Sequence, residues 1–197
     1  MTQYDFTGVA QWRKVEGYFD LEEAIAIQTA VKTLPPNSNL VELGSFRGKS
    51  AIAIASVLPP DSFLYCVDSF ENTILKRGEQ KPPLEQVIKT NLDAFASNVG
   101  RFGVTKKLRV MVMKTDEATT KFPPNFFDLI LIDPDHHYEP VKADLANWYP
   151  KLKPGGYLFC DDYDLPKFPG VKQAIDETKL PGKVVAPSLW FHQKPLA

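Results

Sequence analysis

The chain has 197 residues, 44% of them hydrophobic and 12% aromatic, enough for one domain with a real core and hardly for two. Lysine and arginine number 23 against 24 aspartate and glutamate, so no global field draws the protein to nucleic acid or to an anionic membrane. No uncharged stretch approaches membrane-spanning length, the first residues lack a basic-then-apolar leader, and the two cysteines, Cys66 and Cys160, fall inside apolar runs, so free core thiols and a cytoplasmic location are expected.

Residues 1 to 19 are aromatic without periodicity (Tyr4, Phe6, Trp12, Tyr18, Phe19), which reads as an arm lying on the domain, suited to capping a site or burying a homodimer contact. Asp20 and Glu23 have capping-box spacing, and Ala24, Ile25, Ile27 and Val31 continue a helix until Pro35-Pro36 stops it. Residues 1–38 are therefore read as arm and helix, and 39–197 as the main domain. From Asn39 onward strand and helix patterns alternate: strand 39–43, helix 48–57, strand 63–67, helix 84–99, strand 108–112, a short helix near 116–121, strand 127–132 and helix 139–150. Lys153-Pro154-Gly155-Gly156 reads as a turn into a strand at 157–160, followed by a helix at 170–179. Two short runs, 183–186 and 189–192, separated by Pro187-Ser188, suit a terminal antiparallel pair. The expected fold is α/β: a doubly wound, Rossmann-like, seven-stranded sheet of five parallel strands and a C-terminal antiparallel hairpin, with helices on both faces. Ser69 to Pro83 has no periodicity and reads as a loop beside the ligand crevice. Lys106, Lys107 and Arg109 form the densest basic cluster and read as a solvated strand entrance, since no aromatics interleave them.

The most informative stretch is Val41-Glu42-Leu43-Gly44-Ser45-Phe46-Arg47-Gly48-Lys49-Ser50, a strand passing through a glycine turn into a helix. Such junctions bind nucleotides in α/β proteins. Glu42 at the strand end disfavours a polyphosphate, because like charges at close range repel by roughly 4 kcal/mol at an effective dielectric of about 20. A ligand tail carrying an amine or sulfonium fits better, and S-adenosylmethionine is such a ligand. Asp68, ending the next strand, stands where doubly wound folds place an acid on a ribose hydroxyl pair. A second cluster follows the apolar run 129–132: Asp133, Asp135, His136 and His137, while Asp161 and Asp162 end the next strand. If the two strands are neighbours, Asp133, Asp161 and Asp162 converge, and three crowded carboxylates call for a hard divalent cation such as Mg²⁺. Asp135, His136 or His137 then offers a base for a substrate hydroxyl. His192 reads as structural.

These residues resemble the class I S-adenosylmethionine-dependent methyltransferases. Asp133-Pro134-Asp135-His136-His137-Tyr138-Glu139, Lys153-Pro154-Gly155-Gly156 and Asp161-Asp162-Tyr163 are similar, in order, to the signatures of a subgroup that includes the metal-dependent sugar O-methyltransferases of macrolide and aminocoumarin biosynthesis. The resemblance covers about residues 39 to 193. It implies that Glu42, Gly44, Ser45 and Gly48 face the methionine part of the cofactor, Asp68 the ribose, and Thr115 and Asp116 the adenine neighbourhood, with Asp133 adjoining. It implies metal ligation by Asp133, Asp161 and Asp162, proton transfer by Asp135 or His136, and a small-molecule acceptor. Pro134 departs from the usual glycine, Thr115-Asp116 from the commoner serine, and the chain is shorter than the antibiotic-tailoring enzymes, which leaves the acceptor open.

The nearest rival is a P-loop NTPase. A phosphate loop needs four residues between its glycines, whereas Gly44 and Gly48 enclose three, and Glu42 would oppose a triphosphate. The Gly-x-Gly-x-x-Gly pattern of a nicotinamide dehydrogenase is missing, and 133–136 lacks the second proline and the aromatic residue used to methylate exocyclic amines of nucleic acid. A non-catalytic interaction module on the same fold would be expected to have lost cofactor or metal positions, and here they are intact.

Overall fold

A computed structural model describes residues 9–72 and 82–196. The N-terminal aromatics Tyr4 and Phe6, and the charged residues Lys76, Arg77, Glu79 and Lys81 of the 69–83 loop, lie outside the described residues. In chain order the elements are α1 (Val9–Trp12), α2 (Leu21–Val31), β1 (Asn39–Leu43), α3 (Lys49–Ser56), β2 (Phe63–Asp68), α4 (Leu84–Arg101), β3 (Leu108–Val112), α5 (Thr115–Thr119), β4 (Phe127–Ile132), α6 (Tyr138–Trp148), β5 (Leu152–Cys160), α7 (Pro169–Glu177), β6 (Lys183–Val184) and β7 (Trp190–Gln193).

The sheet has seven strands in the order β3-β2-β1-β4-β5-β7-β6. Strands β1 to β5 are parallel, and β7 runs antiparallel between β5 and β6. Strand order reverses at β1: the chain first builds outward through β2 and β3, then returns to place β4 on the other flank. The carboxyl ends of β1 and β4 thus border a crevice where ligands bind in folds of this class.

Period-two alternation sorts the apolar residues into two cores. Leu40, Leu64, Leu129, Leu131 and Phe159 pack with α2, α3 and α4, whereas Val41, Leu43, Ile130, Ile132 and Leu158 pack with α6 and α7. Because both faces are covered, the parallel strands read as continuous apolar runs rather than alternating ones. Helix α2 joins the first core: Ala24, Ile27 and Val31 are fully buried, and Gln28 Nε2 donates to the Ala53 carbonyl at 2.8 Å. Its start is closed as the capping-box spacing predicts, with the Asp20 N–H donating to Glu23 Oε2 at 2.8 Å.

Two local readings are corrected. Lys153 to Gly156 is not a turn before a strand but part of β5, which begins at Leu152. The pairing with β4 shifts between Phe127 and Leu129, Gly155 takes φ +78°, and its N–H donates to the Lys194 carbonyl, so the glycines form an irregularity inside the strand. The terminal pair is also shorter than its apolar runs. Pairing spans Lys183–Val184 and Trp190–Gln193, and residues 185–189 turn between them, closed by the Val185 N–H on the Leu189 carbonyl. That turn swings Ser188 toward the carboxyl ends of the parallel strands.

Other expectations hold. Cys66 and Cys160 are free and buried, and His192 is buried between Tyr149 and the Pro181 carbonyl. Of the basic cluster, Lys107 donates to the Ala55 carbonyl and Arg109 lies 3.8 Å over the Phe63 ring, at the amino end of β3. No helix among the described residues is long and apolar enough to cross a membrane.

Candidate active site

The turn after β1 needs its glycine. Gly44 has φ +86°, and a Cβ there would lie 2.3 Å from the Asp133 carbonyl oxygen, so only a residue without a side chain lets the ends of β1 and β4 meet. Asp68, ending β2, fastens the same turn. Its Oδ2 accepts the N–H groups of Ser45 and Phe46 at 2.8 and 2.6 Å, and its Oδ1 accepts that of Phe70 at 2.6 Å. Three bonds leave one of about four carboxylate lone-pair sites for a ligand hydroxyl.

Beneath the turn, Glu42 is fully buried, and neither of its oxygens has a hydrogen-bond partner. Burial pushes its carboxyl up to about 7, with Ser45, Ser50 and Cys66 close by limiting the rise. The Ser45 hydroxyl is likewise buried without a partner. Two orphaned polar side chains under one glycine turn are costly in a closed protein, and they fit a site whose ligand carries donors, such as an amino group. They do not fit a phosphate.

Strands β4 and β5 are neighbours, with Ile132 opposite Cys160, so the acids that follow them converge. Asp133, His136 and Asp162 each offer a ligand atom within 4.8 Å of the others. His136 Nδ1 stands 2.9 Å from Asp162 Oδ2. Asp161 is turned partly away: its Oδ1 accepts the Asp162 N–H at 2.8 Å and faces the Ser188 hydroxyl at 3.3 Å. Ser188 in turn donates to Glu23 Oε1 at 2.5 Å, so α2 adds a buried carboxylate behind the cluster. Burial, then the charges of Asp161 and Asp162, hold Asp133 well above the usual carboxylate range, while burial and then Glu23 do the same to Asp161. Acids held so far from their ordinary range are poised for a cation.

The glycine turn and the acids after β4 and β5 border one cavity of about 490 Å³. Its floor is Gly44, Ser45 and Asp68, one side carries Asp133, His136, Asp161 and Asp162, and residues 16–19 form a strap across it. The strap is tied to α3: Trp12 Nε1 donates to the Lys49 carbonyl at 2.8 Å, Lys49 Nζ donates to the Gly17 carbonyl at 3.0 Å, and Arg47 pairs with Glu16. Of the aromatic segment expected to cap a site or bury a dimer contact, residues 16–19 line the cavity.

Not every expected residue reaches the cavity wall. Glu42 and Gly48 stand behind it, Gly48 as the left-handed residue that starts α3. Thr115 and Asp116 lie outside its lining, at the start of α5. Thr115 bonds to Asp144, a carboxyl that burial pushes up to about 6, and Asp116 Oδ1 accepts the Glu117 N–H. Asp135 is also outside: partial burial raises its carboxyl, but the backbone and ring bonds of His137 outweigh this and leave it lowered. Of the two candidate bases, His136 is the one inside, its ring 4.1 Å from that of Phe168. Sequence reasoning missed Glu23, Ser188, Lys167 and Phe168. Glu23 carried a capping signal that accounts for only one of its oxygens, and the others stand on turns whose direction no local pattern announces.

Comparison with known proteins agrees with this geometry. A family model described as a methyltransferase domain matches residues 41–163. The O-methyltransferase NovP superposes with a TM-score of 0.70 at 21% identity, covering 89% of this chain and 81% of that one. The O-methyltransferase TomG from Streptomyces achromogenes, solved with S-adenosylmethionine and involved in tomaymycin synthesis, gives 0.64 at 14% identity over 91% and 82% of the two chains. An O-methyltransferase from Bacillus cereus in complex with S-adenosylhomocysteine gives 0.62 at 15% identity over 92% and 83%. At these identities the likeness is one of fold. Among curated proteins, an uncharacterized protein of Acanthamoeba polyphaga mimivirus is 40% identical over 55 residues, so the match spans 27% of this chain and a quarter of that relative's length.

Proposed function

This chain belongs to the methyltransferase domain family, and we propose that it binds S-adenosylmethionine across the carboxyl ends of β1 and β2 and methylates a hydroxyl oxygen of a small-molecule acceptor. The observation that carries this reading is the single cavity in which a glycine turn over an unpartnered Glu42 meets the acids of β4 and β5. Ser45 would receive a donor of the methionine part, with the Glu42 carboxyl behind it, and Asp68 the ribose hydroxyls. A carboxylate floor favours a cationic cofactor over ATP, which sets the P-loop reading aside.

Asp133, Asp161 and Asp162 would hold Mg²⁺ or another hard divalent cation, which when bound lowers the pKa of a hydroxyl and fixes its orientation. Were His136 to replace Asp161 in that set, the mixed nitrogen and oxygen ligands would favour a first-row transition ion such as Mn²⁺. In the transfer the acceptor oxygen would give its proton to a base and attack the methyl carbon in line, forming the O–C bond as the C–S bond breaks and the departing sulfur keeps the electron pair. His136 is our candidate for that base, because it lines the cavity and its Nδ1 faces Asp162, an arrangement that fixes a ring and leaves the other nitrogen to act. The strap and the apolar walls would exclude water, which keeps an activated oxygen from being reprotonated.

Calorimetric titration of metal-stripped protein tests the reading. S-adenosylmethionine should bind and ATP should not, and Mg²⁺ or Mn²⁺ should bind separately. A double variant, Asp161→Asn with Asp162→Asn, should lose metal binding yet keep cofactor affinity within about threefold. Binding of ATP alone would sink the proposal, and loss of cofactor affinity in a folded variant would sink the assignment of roles.

A further inference from the structure

The cavity is electrically polarised. Its acids, Asp68, Asp133, Asp161 and Asp162, are buried or half-buried and mark its deep end, whereas Tyr18 and Lys167 are exposed and, with the half-buried Phe168, mark its mouth. Two of the three cations on the lining are already engaged: Arg47 with Glu16, and Lys49 with the Gly17 carbonyl. Lys167 has no hydrogen bond or ion pair among the described residues and lies over two aromatic faces, its Nζ 4.4 Å from the Phe168 ring centre and 6.0 Å from that of Tyr18. Phe168 in turn lies 4.1 Å from His136, so by adding the two distances the ammonium is at most about 8.5 Å from the imidazole centre. Tyr18 is 76% exposed, an apolar ring left open at the cavity mouth.

Resting on the proposed function, we infer that the acceptor is a ring-bearing hydroxy compound with an anionic substituent, and that Lys167 selects it. The reacting hydroxyl sits at the acid cluster beside His136. The ring lies against Tyr18, which offers a flat face to an aromatic ring or to the C–H face of a sugar, while Phe168, packed on His136, forms the wall between the hydroxyl and Lys167. A carboxylate or phosphate one ring-width away from the hydroxyl meets the Lys167 ammonium, held forward by the two aromatic faces beside it. Three carboxylates around one divalent ion, with Asp68 nearby, leave the deep end net negative, which disfavours that same anion there, so the cavity takes the acceptor hydroxyl inward and anion outward. The anionic end is thereby read by opposite charge at Lys167.

The test uses the whole chain loaded with S-adenosylhomocysteine and Mg²⁺, titrated with two matched pairs that differ by one carboxylate. These are 3,4-dihydroxybenzoate against catechol, and phenyl glucuronide against phenyl glucoside. In at least one pair the acid should bind about tenfold more tightly than its neutral partner, and 0.5 M salt should shrink the difference. The pair that discriminates tells an aromatic acceptor from a sugar. Lys167→Met, which keeps the stem and removes the charge, should abolish the preference while leaving S-adenosylhomocysteine affinity unchanged, and Lys167→Arg should retain it. Equal binding within both pairs, or a preference that survives Lys167→Met, overturns the inference while leaving the methyltransferase reading standing. Failure of the unmutated protein to bind S-adenosylhomocysteine overturns both.

Discussion

At Gly44 the backbone of β1 and the backbone following β4 pass so close that no side chain fits. Gly44→Ala should therefore cost roughly 2–4 kcal/mol in urea unfolding, combining a left-handed φ with a backbone clash, and a loss under about 1 kcal/mol would mean that the turn is softer than described. Two positions away, Glu42 makes a different prediction. Its folded pKa of about 7 lies above its unfolded value near 4.5, so its favourable contribution is complete below pH 4.5 and is lost as pH rises through 7. At about 1.4 kcal/mol per unit, the ionised side chain costs roughly 3 kcal/mol above pH 7. Glu42→Gln should then match the parent near pH 4.5 and exceed it in stability near pH 8, as read by denaturant unfolding at both pH values. The same substitution should weaken S-adenosylmethionine, because the buried charge opposite a cationic tail is gone. Residues of this kind were legible in sequence because glycine and a strand-end acid each have a narrow set of uses. Ser188 and Lys167 were not, since serine and lysine on a turn have many.

At the scale of elements, the strands β1, β3 and β4 could be bounded to the residue: β1 and β4 because apolar runs covered on both faces and stopped by Gly or Asp have few competing readings, and the edge strand β3, exposed at Val110 and Val112, because its apolar run lies between lysines. The pattern misled where glycine meant something other than a turn. Gly155 and Gly156 sit inside β5 as an irregularity, and a local window cannot see that Lys194 pairs with them. The apolar run 183–186 likewise gave way after two residues to the geometry needed to place Ser188 beside Asp161. Among helices, α1 and the strap after it are short, yet they are held by Trp12, which is 1% exposed and donates to α3. Isolated segments of this length do not persist in water, so the strap stays in place through packing. Trp12→Ala should cost about 3–5 kcal/mol in chemical unfolding and weaken cofactor binding as well, since the wall over the cavity loses its anchor. Stability loss without any change in affinity would show that residues 16–19 keep their place by other contacts.

For the molecule as a whole, the two flanks of the sheet meet at the β1–β4 ladder, whose carboxyl end borders the crevice, so a ligand there should stiffen both cores together. Saturating S-adenosylhomocysteine at about 100 times its dissociation constant stabilises the folded state by roughly 2.7 kcal/mol. For a domain near 200 residues that corresponds to a rise in Tm of about 5–10 °C, and ATP at the same concentration should give none. The strand order has a further consequence, in time rather than in space. The central ladder joins Leu40 to Leu129 and Val41 to Ile130, residues far apart along the chain, and each must meet its partner before the sheet has a middle. Loop closure over that distance comes before any of the contacts that reward it. Refolding is therefore expected to be slow, in milliseconds to seconds. Until β4 arrives, β1 presents an apolar, unpaired edge to other chains, so refolding yield should fall as protein concentration rises.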